Sequence, residues 1–331
     1  MKALQLAKKD QPWQVCEVRE PMLKNGMVLV KLKAAAFNHR DIWISKGMYA
    51  GIKYPIIVGS DGCGVIADVG RDLSRDILRN EVIINPSFNW GGEEDYQGQD
   101  FEILGLPQNG TMAEYVVVPK TYIHPQPIHL TPEQAAALPL AGLTAYRALF
   151  SKAGLKPKDK VLVNGIGGGV ALFALQFAHA IGCEVWVTSS SPRKIESAQA
   201  LGAAGGANYK TEGWHKQLME TAGSFDVIVD GAGGKGFGNL ISIAAPGARI
   251  AIYGGTAGKI EGISPQKIFW KQISIFGSTM GSERDFHNML HFVNRHEIVP
   301  VVDEVFPFDE AVIAAEKVEQ GKQFGKVVVK M

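Results

Sequence analysis

Apolar and polar positions follow two different periods along this chain. Up to about residue 125 the pattern is that of short strands. Alternation is clearest at residues 27–35 (MVLVKLKAA), and apolar runs at 2–6, 15–18, 81–85 and 110–118 are separated by Pro, Gly and Asn. Glycines at 59, 62, 64 and 70 surround one of these runs, as in a strand bent around a small barrel. FNHRDIWISKGMY reads as a loop opening into a short helix, and residues 89–99 as a polar, glycine-rich loop. Thr131 and Pro132 then read as N-cap and first residue of a helix, and PLAGLTAYRALF as a second one.

From there strands and helices take turns. Strands are expected at 161–163, 184–188, 207–209, 225–230, 249–253 and 273–276. Helices are expected from 170, then at 193–201, 214–221, 237–244 and 266–270. This alternation implies a parallel, doubly wound sheet with right-handed crossovers. In the helix at 282–295, Phe286, Met289, Leu290 and Val293 recur at helical spacing, so it is expected to pack on that core. The tail reads strand, helix, strand and is expected to return to the barrel. No internal repeat or low-complexity segment is present.

The centre of the pattern is VLVNGIGGGV, residues 161–170. An apolar strand ends in Gly165, Gly167, Gly168 and Gly169, and a helical pattern opens at Val170. Such a turn aims unpaired N–H groups and a positive dipole end at one point, which suits a pyrophosphate, although ordinary turns use glycine as well. About 20 residues on, a dinucleotide fold reads the adenosine ribose, and NAD is read there by Asp or Glu. Here that place holds Ser189, Ser190 and Ser191, then Pro192, Arg193 and Lys194. Ser191 and Pro192 suit an N-cap and first helical residue. Cations in a first helical turn oppose the dipole, so a bound 2′-phosphate explains them better than simple solvation. NADP (NADPH) is therefore expected over NAD.

Length and charge narrow the field. A chain of 331 residues suits two domains. A net charge of +1 gives no basic field for nucleic acid or an anionic membrane. The opening MKALQLAKKD lacks the pattern of a secretory leader, no apolar run approaches a membrane span, and Cys16, Cys63 and Cys183 form neither a disulfide framework nor a zinc cluster. A cytoplasmic protein is expected.

In order and spacing, NHRD (38–41), GSDGCGVI (59–66), GTMAEYVVVP (110–119), AAALPLAGLTAYRAL (135–149) and the glycine turn resemble the medium-chain dehydrogenase/reductase superfamily, closest to its quinone oxidoreductase and zinc-type alcohol dehydrogenase-like branches. The resemblance covers nearly the whole chain. It implies an α/β protein: a GroES-like β-barrel substrate domain at 1–125 and 296–331, and a Rossmann NADP-binding domain at 126–295. Transfer would occur in a cleft between them.

Zinc-dependent members supply metal ligands from a Cys-x-x-Asp motif and a Gly-His-Glu motif. Those places hold Asn38 and Ser60 here, and the third ligand region, 139–141, has no Cys, Asp or His. Zinc wants thiolate, imidazole or carboxylate, and the loop at 89–99 lacks the cysteines of the family's structural zinc lobe, so no metal is expected. Asp41 and Asp61 remain, and both also suit loop-orienting bonds to backbone N–H groups. Without a Lewis acid a conjugated acceptor is the easier substrate, because its charge delocalises and needs only hydrogen-bond donors near the oxygen. Asn38, Arg40 and Tyr49 are the catalytic candidates. Arg40 equally suits a pair with Asp41 or Asp61, Tyr49 a packing or lid role, and His39 a structural hydrogen bond.

The resemblance further implies that Thr144, the Gly254-Gly255-Thr256 turn, Phe276-Gly277-Ser278 and Lys326 lie along the cofactor, each with an ordinary helical or loop alternative. Tyr209 would stack near the adenosine or pack in the core. Trp43, Phe88 and Trp90 would line a substrate pocket or pack in the barrel, and loops 43–54 and 88–104 would set substrate choice. The expected activity is zinc-independent, NADPH-dependent reduction of a small quinone or α,β-unsaturated carbonyl. A metal-free alcohol dehydrogenase or carbonyl reductase, and a non-enzymatic NADPH-binding protein, are the alternatives. Family members commonly dimerise through the last Rossmann strands, here 273–278, so a homodimer is expected, with no nucleic-acid or membrane partner.

Overall fold

The structure is a computed structural model and describes residues 1–9 and 11–331. The chain opens with β1 (Lys2–Leu6), β2 (Gln14–Glu17) and the long β3 (Met27–Ala36), followed by α1 (His39–Ser45). Seven strands follow: β4 (Ile56–Ile57), β5 (Asp61–Val69), β6 (Glu81–Ile84), β7 (Ser87–Phe88), β8 (Glu102–Ile103), β9 (Tyr115–Pro119) and β10 (Ile123–Pro125). In β3 alternate residues Val28, Val30 and Leu32 are buried, as its pattern requires, and they join Ile66, Val82, Ile84 and Val118 in one core. β1 pairs with β2 and β4, while β3 pairs antiparallel with both β5 and β9. Next come α2 (Pro132–Ala137) and α3 (Pro139–Tyr146). Thr131 caps α2, its hydroxyl accepting from Gln134 N at 3.3 Å while Gln134 Oε1 accepts from Thr131 N at 3.0 Å.

The αβ part runs β11 (Lys160–Asn164), α4 (Gly169–Ala180), β12 (Glu184–Ser189), α5 (Pro192–Ala200), β13 (Gly205–Asn208), α6 (Trp214–Ala222), β14 (Phe225–Asp230), α7 (Phe237–Ile243), β15 (Ala244–Ile252), α8 (Pro265–Lys271) and β16 (Ser274–Gly277). Its six strands are all parallel, in the order β13-β12-β11-β14-β15-β16. The order reverses at β11, the first strand of the unit, which makes the ends of β11 and its neighbours the topological switch point. Val161, Leu162 and Val163 are wholly buried, as befits a strand covered on both faces.

The chain finishes with α9 (Glu283–Arg295), β17 (Val302–Pro307), α10 (Ala311–Gln320) and β18 (Lys326–Lys330). β18 pairs antiparallel with β3 and parallel with β17, so the tail does rejoin the barrel sheet. By contacts the chain divides into Met1–Ala141 with Gly281–Met331, and Gly142–Met280. The boundaries therefore differ from the expected 125/126 and 295/296, with α2 and α9 both in the barrel unit. The expectation that α9 packs on the parallel sheet is corrected: Phe286 lies 4.8 Å from the His124 ring, and Ser282 Oγ donates to Glu94 at 2.6 Å. Helical spacing identifies a buried face but not its neighbour. Among the described residues no helix is long and apolar enough to cross a membrane.

Candidate active site

In the αβ unit, the expected cofactor residues lie at or just beyond the carboxyl ends of adjacent parallel strands, except Thr144, which lies in α3. Gly165 (φ +81°) and Gly167 (φ +134°) have left-handed backbone, Gly168 is the N-cap of α4, and Gly169 and Val170 open the helix. A Cβ added at Gly165 or Gly168 would meet nothing within 4 Å, so the turn leaves open space there. A Cβ at Gly167 would come 3.0 Å from Lys194 Cδ and 3.1 Å from its Nζ, so the Lys194 side chain lies over the turn. A bare cradle of N–H groups at a helix N-terminus, with a lysine above it, fits a dinucleotide pyrophosphate.

The turn is held from below by a ladder that crosses three strand ends. Gly165 N donates to Thr188 Oγ1 (2.9 Å), Thr188 Oγ1 to Asn164 Oδ1 (2.6 Å), and Asn164 Nδ2 to Asp230 Oδ1 (2.7 Å). Asp230 also accepts from Ala232 N and Gly233 N. Sequence reading passed over this ladder; its signal is a polar residue at the end of each apolar strand. Ser189 is buried and accepts from Ser191 N, Ser191 caps α5 through Lys194 N, and Arg193 is exposed. Ser190 is half-buried, and its carbonyl accepts from Asn208 Nδ2. Tyr209 is exposed rather than packed in a core. Gly254, Gly255 and Thr256 form the turn after β15, with Thr256 bonded to Gly231 O. Phe276 and Gly277 end β16, and Ser278 donates its N–H to Ile252 O. The Ser278 hydroxyl is buried without a hydrogen-bond partner, as suits a residue awaiting a polar ligand. Thr144, also buried, meets Met280 Sδ at 4.0 Å.

Lys326 stands apart from these. It belongs to the barrel unit, and its buried ammonium donates to Asn38 Oδ1 (2.6 Å) and Asp61 Oδ2 (2.9 Å). Lys326, expected along the cofactor, thus also belongs to a buried polar cluster. Asn38 Nδ2 also donates to Asp61 Oδ2 (2.8 Å), while Leu140 N donates to Asp61 Oδ1 (2.8 Å). Asp41 accepts from Asn38 N (2.8 Å) and Gly59 N (3.2 Å). Burial pushes the Asp41 carboxyl above the usual carboxylate range, against the pull of Arg40, the Asn38 N–H and Lys326.

Arg40, in the first turn of α1, joins the cluster from another side. Its Nη1 donates to Ser60 Oγ (2.6 Å) and Leu104 O (2.9 Å), and Ser60 Oγ donates to the same carbonyl (2.7 Å). It pairs with neither Asp41 nor Asp61: among the described residues no carboxylate lies within ion-pair distance of the guanidinium. Tyr49, 39% exposed, sets its ring 5.4 Å from the guanidinium carbon. Phe88 stacks on Tyr122 at 4.3 Å, and buried Trp90 meets Phe101 edge-on at 5.4 Å, so both pack within the barrel. Trp43 lies against the exposed His39 at 5.4 Å.

The cluster does not fit a zinc ion. Among the described residues no three His, Cys, Asp or Glu come together to hold a metal. The two carboxylates nearest Asn38 and Ser60 already accept from N–H groups, and an ammonium lies 2.9 Å from one of them. Burial pushes the thiols of Cys63 and Cys183 up to about 12 and about 11, and they donate to Gln126 Oε1 and Lys156 O.

Comparisons with known proteins agree with this two-part layout. The alcohol dehydrogenase GroES-like domain family matches residues 24–128, and the zinc-binding dehydrogenase family matches residues 169–295. The zinc-type alcohol dehydrogenase-like protein YogA of Leptosphaeria maculans is 35% identical over 97% of this chain and 95% of its own. Among solved structures, an NAD-dependent alcohol dehydrogenase superposes with a TM-score of 0.94 at 36% identity, covering all of both chains. The 2-octenoyl-CoA carboxylase reductase CINF, solved with NADP and 2-octenoyl-CoA, superposes with a TM-score of 0.90 at 26% identity, covering 99% of this chain and 87% of that one. A barrel whose last strand is supplied by the tail, a parallel sheet opening on a glycine turn, and relatives that span both parts establish that the chain belongs to the medium-chain dehydrogenase/reductase superfamily of oxidoreductases.

Proposed function

We propose that this protein is a zinc-independent, NADPH-dependent reductase of quinones or α,β-unsaturated carbonyl compounds. The donor chemistry of the barrel cluster carries the reading. Asn38, Ser60, Arg40 and Lys326 offer amide, hydroxyl, guanidinium and ammonium hydrogen-bond donors, and none of them is a zinc ligand. Such a set stabilises an oxygen that gains charge by delocalisation, as in an enolate or a hydroquinone anion. The relative CINF, solved with NADP and an α,β-unsaturated thioester, supports the same class of acceptor.

Bound NADPH supplies the hydride. The glycine turn at 165–169 and Lys194 would hold the pyrophosphate, Arg193 with Ser189 and Ser190 the 2′-phosphate, and Tyr209 the adenosine end. The Ser278 hydroxyl, with Thr144, Gly254, Gly255, Thr256, Phe276 and Gly277, would serve the nicotinamide end. Asn38, Arg40 and Tyr49 would serve the acceptor's reducible oxygen. The exposed edge strand β16, with Ile275 on it and Trp270 85% exposed on the preceding helix, suits pairing with a second copy.

The deciding measurement follows absorbance loss at 340 nm with NADPH or NADH against a panel of quinones, enones, saturated aldehydes and, in reverse, alcohols. Turnover of quinones or enones with NADPH that survives dialysis against a chelator is the expected result. Zinc-requiring alcohol oxidation with NAD would overturn the reading in favour of the chemistry named for the NAD-dependent structural relative.

A further inference from the structure

Asn38, Tyr49 and Arg40 are the groups of the barrel expected to meet an acceptor's oxygen, and their contacts separate them. The Asn38 amide is committed at both ends, giving a proton to Asp61 and taking one from Lys326. Tyr49 presents a ring face to Arg40 and is partly in solvent. Arg40 alone is a permanent charge, 7% exposed, whose Nε is buried with no hydrogen-bond partner. Its other bonds go to a hydroxyl and a carbonyl, neither of which carries a compensating charge. An underfilled buried cation is costly unless an anion completes it.

The carboxylates nearby do not complete it. Asp61 is closed by Lys326, Asn38 and Leu140 N, and Asp41 by two backbone N–H groups. Both residues that stand where the resemblance places metal ligands therefore bond a side-chain cation: Asn38 bonds Lys326, and Ser60 bonds Arg40. Two fixed charges lie where the resemblance places the metal of zinc-dependent members, and the Nε of one of them has no hydrogen-bond partner.

We infer that Arg40 is the catalytic electrophile, receiving the acceptor's oxygen as it becomes an oxyanion, with Ser60 as the positioning residue that aims the guanidinium. The inference rests on the reductase reading and deepens it: acceptors whose reduced form is a stabilised enolate or phenolate are the substrates of this site. In the reaction a hydride and its electron pair enter the acceptor's conjugated carbon, the π electrons move to the oxygen, Arg40 balances the charge without giving up a proton, and water protonates the product. Stabilised phenolates should then bind as product mimics.

The test uses 4-nitrophenol, whose absorbance reports its own ionisation. Wild-type protein should bind the phenolate form and lower the probe's apparent pKa by about one unit, as a nearby fixed cation does. Arg40→Gln should abolish the shift and reduce kcat with an enone or quinone by about 100-fold or more, with less change in KM. Arg40→Lys should keep part of both, and Ser60→Ala should weaken the shift while the guanidinium remains. Equal shifts in wild type and folded Arg40→Gln, or none in wild type, overturn the inference. If Arg40→Gln fails to fold, Arg40→Lys and Ser60→Ala decide together: if neither weakens the shift nor lowers kcat, the inference is overturned. A phenolate shift without enone or quinone turnover breaks the reductase reading and leaves the anion site. Unchanged turnover in Arg40→Gln breaks the inference and leaves the reading.

Discussion

At Gly167 the backbone takes φ +134°, and a Cβ would press on Lys194. Gly167→Ala should therefore cost about 1–3 kcal/mol in strain and displaced lysine, read as a lower melting temperature and a weaker NADPH fluorescence titration. Gly110 is tighter still: a Cβ there would lie 1.9 Å from Gly59 O, so Gly110→Ala should prevent the close approach of those two loops. His124 gives a pH dependence. Burial, with His287 adding, pushes its imidazole down to about 4, so the folded state holds it neutral. The stability tied to that neutral ring is whole above the ordinary value of 6.5 and is lost as pH falls from there towards 4. Chemical denaturation should show wild type losing of order 3 kcal/mol over that window relative to His124→Leu. At this scale the sequence made the glycines and the Ser/Thr caps legible, because their roles are local. The partners of Arg40 and Lys326 were not legible, because Leu104 and Asp61 are brought to them only by the closed barrel.

Elements were legible wherever periodicity was strong. β3, β11, β14, α4 and α9 all lie within a residue or two of the apolar pattern. β13 begins at Gly205 rather than 207 because its first residues are glycines, which give no period; a Cβ on Gly205 would strike the Trp186 ring at 2.4 Å. β15 begins at Ala244, ahead of the expected 249, with a register shift opposite Phe225–Val227 that the polar-looking PGA segment disguises. The end of the second expected helix winds as a π-helix over Arg147–Lys152, which no spacing in PLAGLTAYRALF announces. The cap of α2 supports a prediction of its own. Thr131→Ala removes the hydroxyl that accepts from Gln134 N, so thermal or urea unfolding should show a loss of about 1 kcal/mol.

For the whole molecule, the sequence conveyed the order of parts, and the pairing of β18 with β3 and β17 agrees with it. By contacts, helices α2 and α9 group with the barrel unit, a division that sequence does not announce because an amphipathic face is equally content on either core. The unpaired flank of β16 leads to a prediction at this scale. Light scattering coupled to gel filtration should give twice the chain mass, and Ile275→Lys, which sets a charge on that edge, should halve it. The last strand has a further consequence, for biosynthesis. Ala36 must wait for Val328. At ordinary translation speeds that wait is on the order of tens of seconds. The parallel sheet, drawn from one continuous segment, can finish while the ribosome is still working, whereas the barrel remains an unsealed rim that invites chaperones. Because Lys326 arrives on the closing strand, the buried cluster it forms with Asn38 and Asp61 cannot assemble until that strand has emerged.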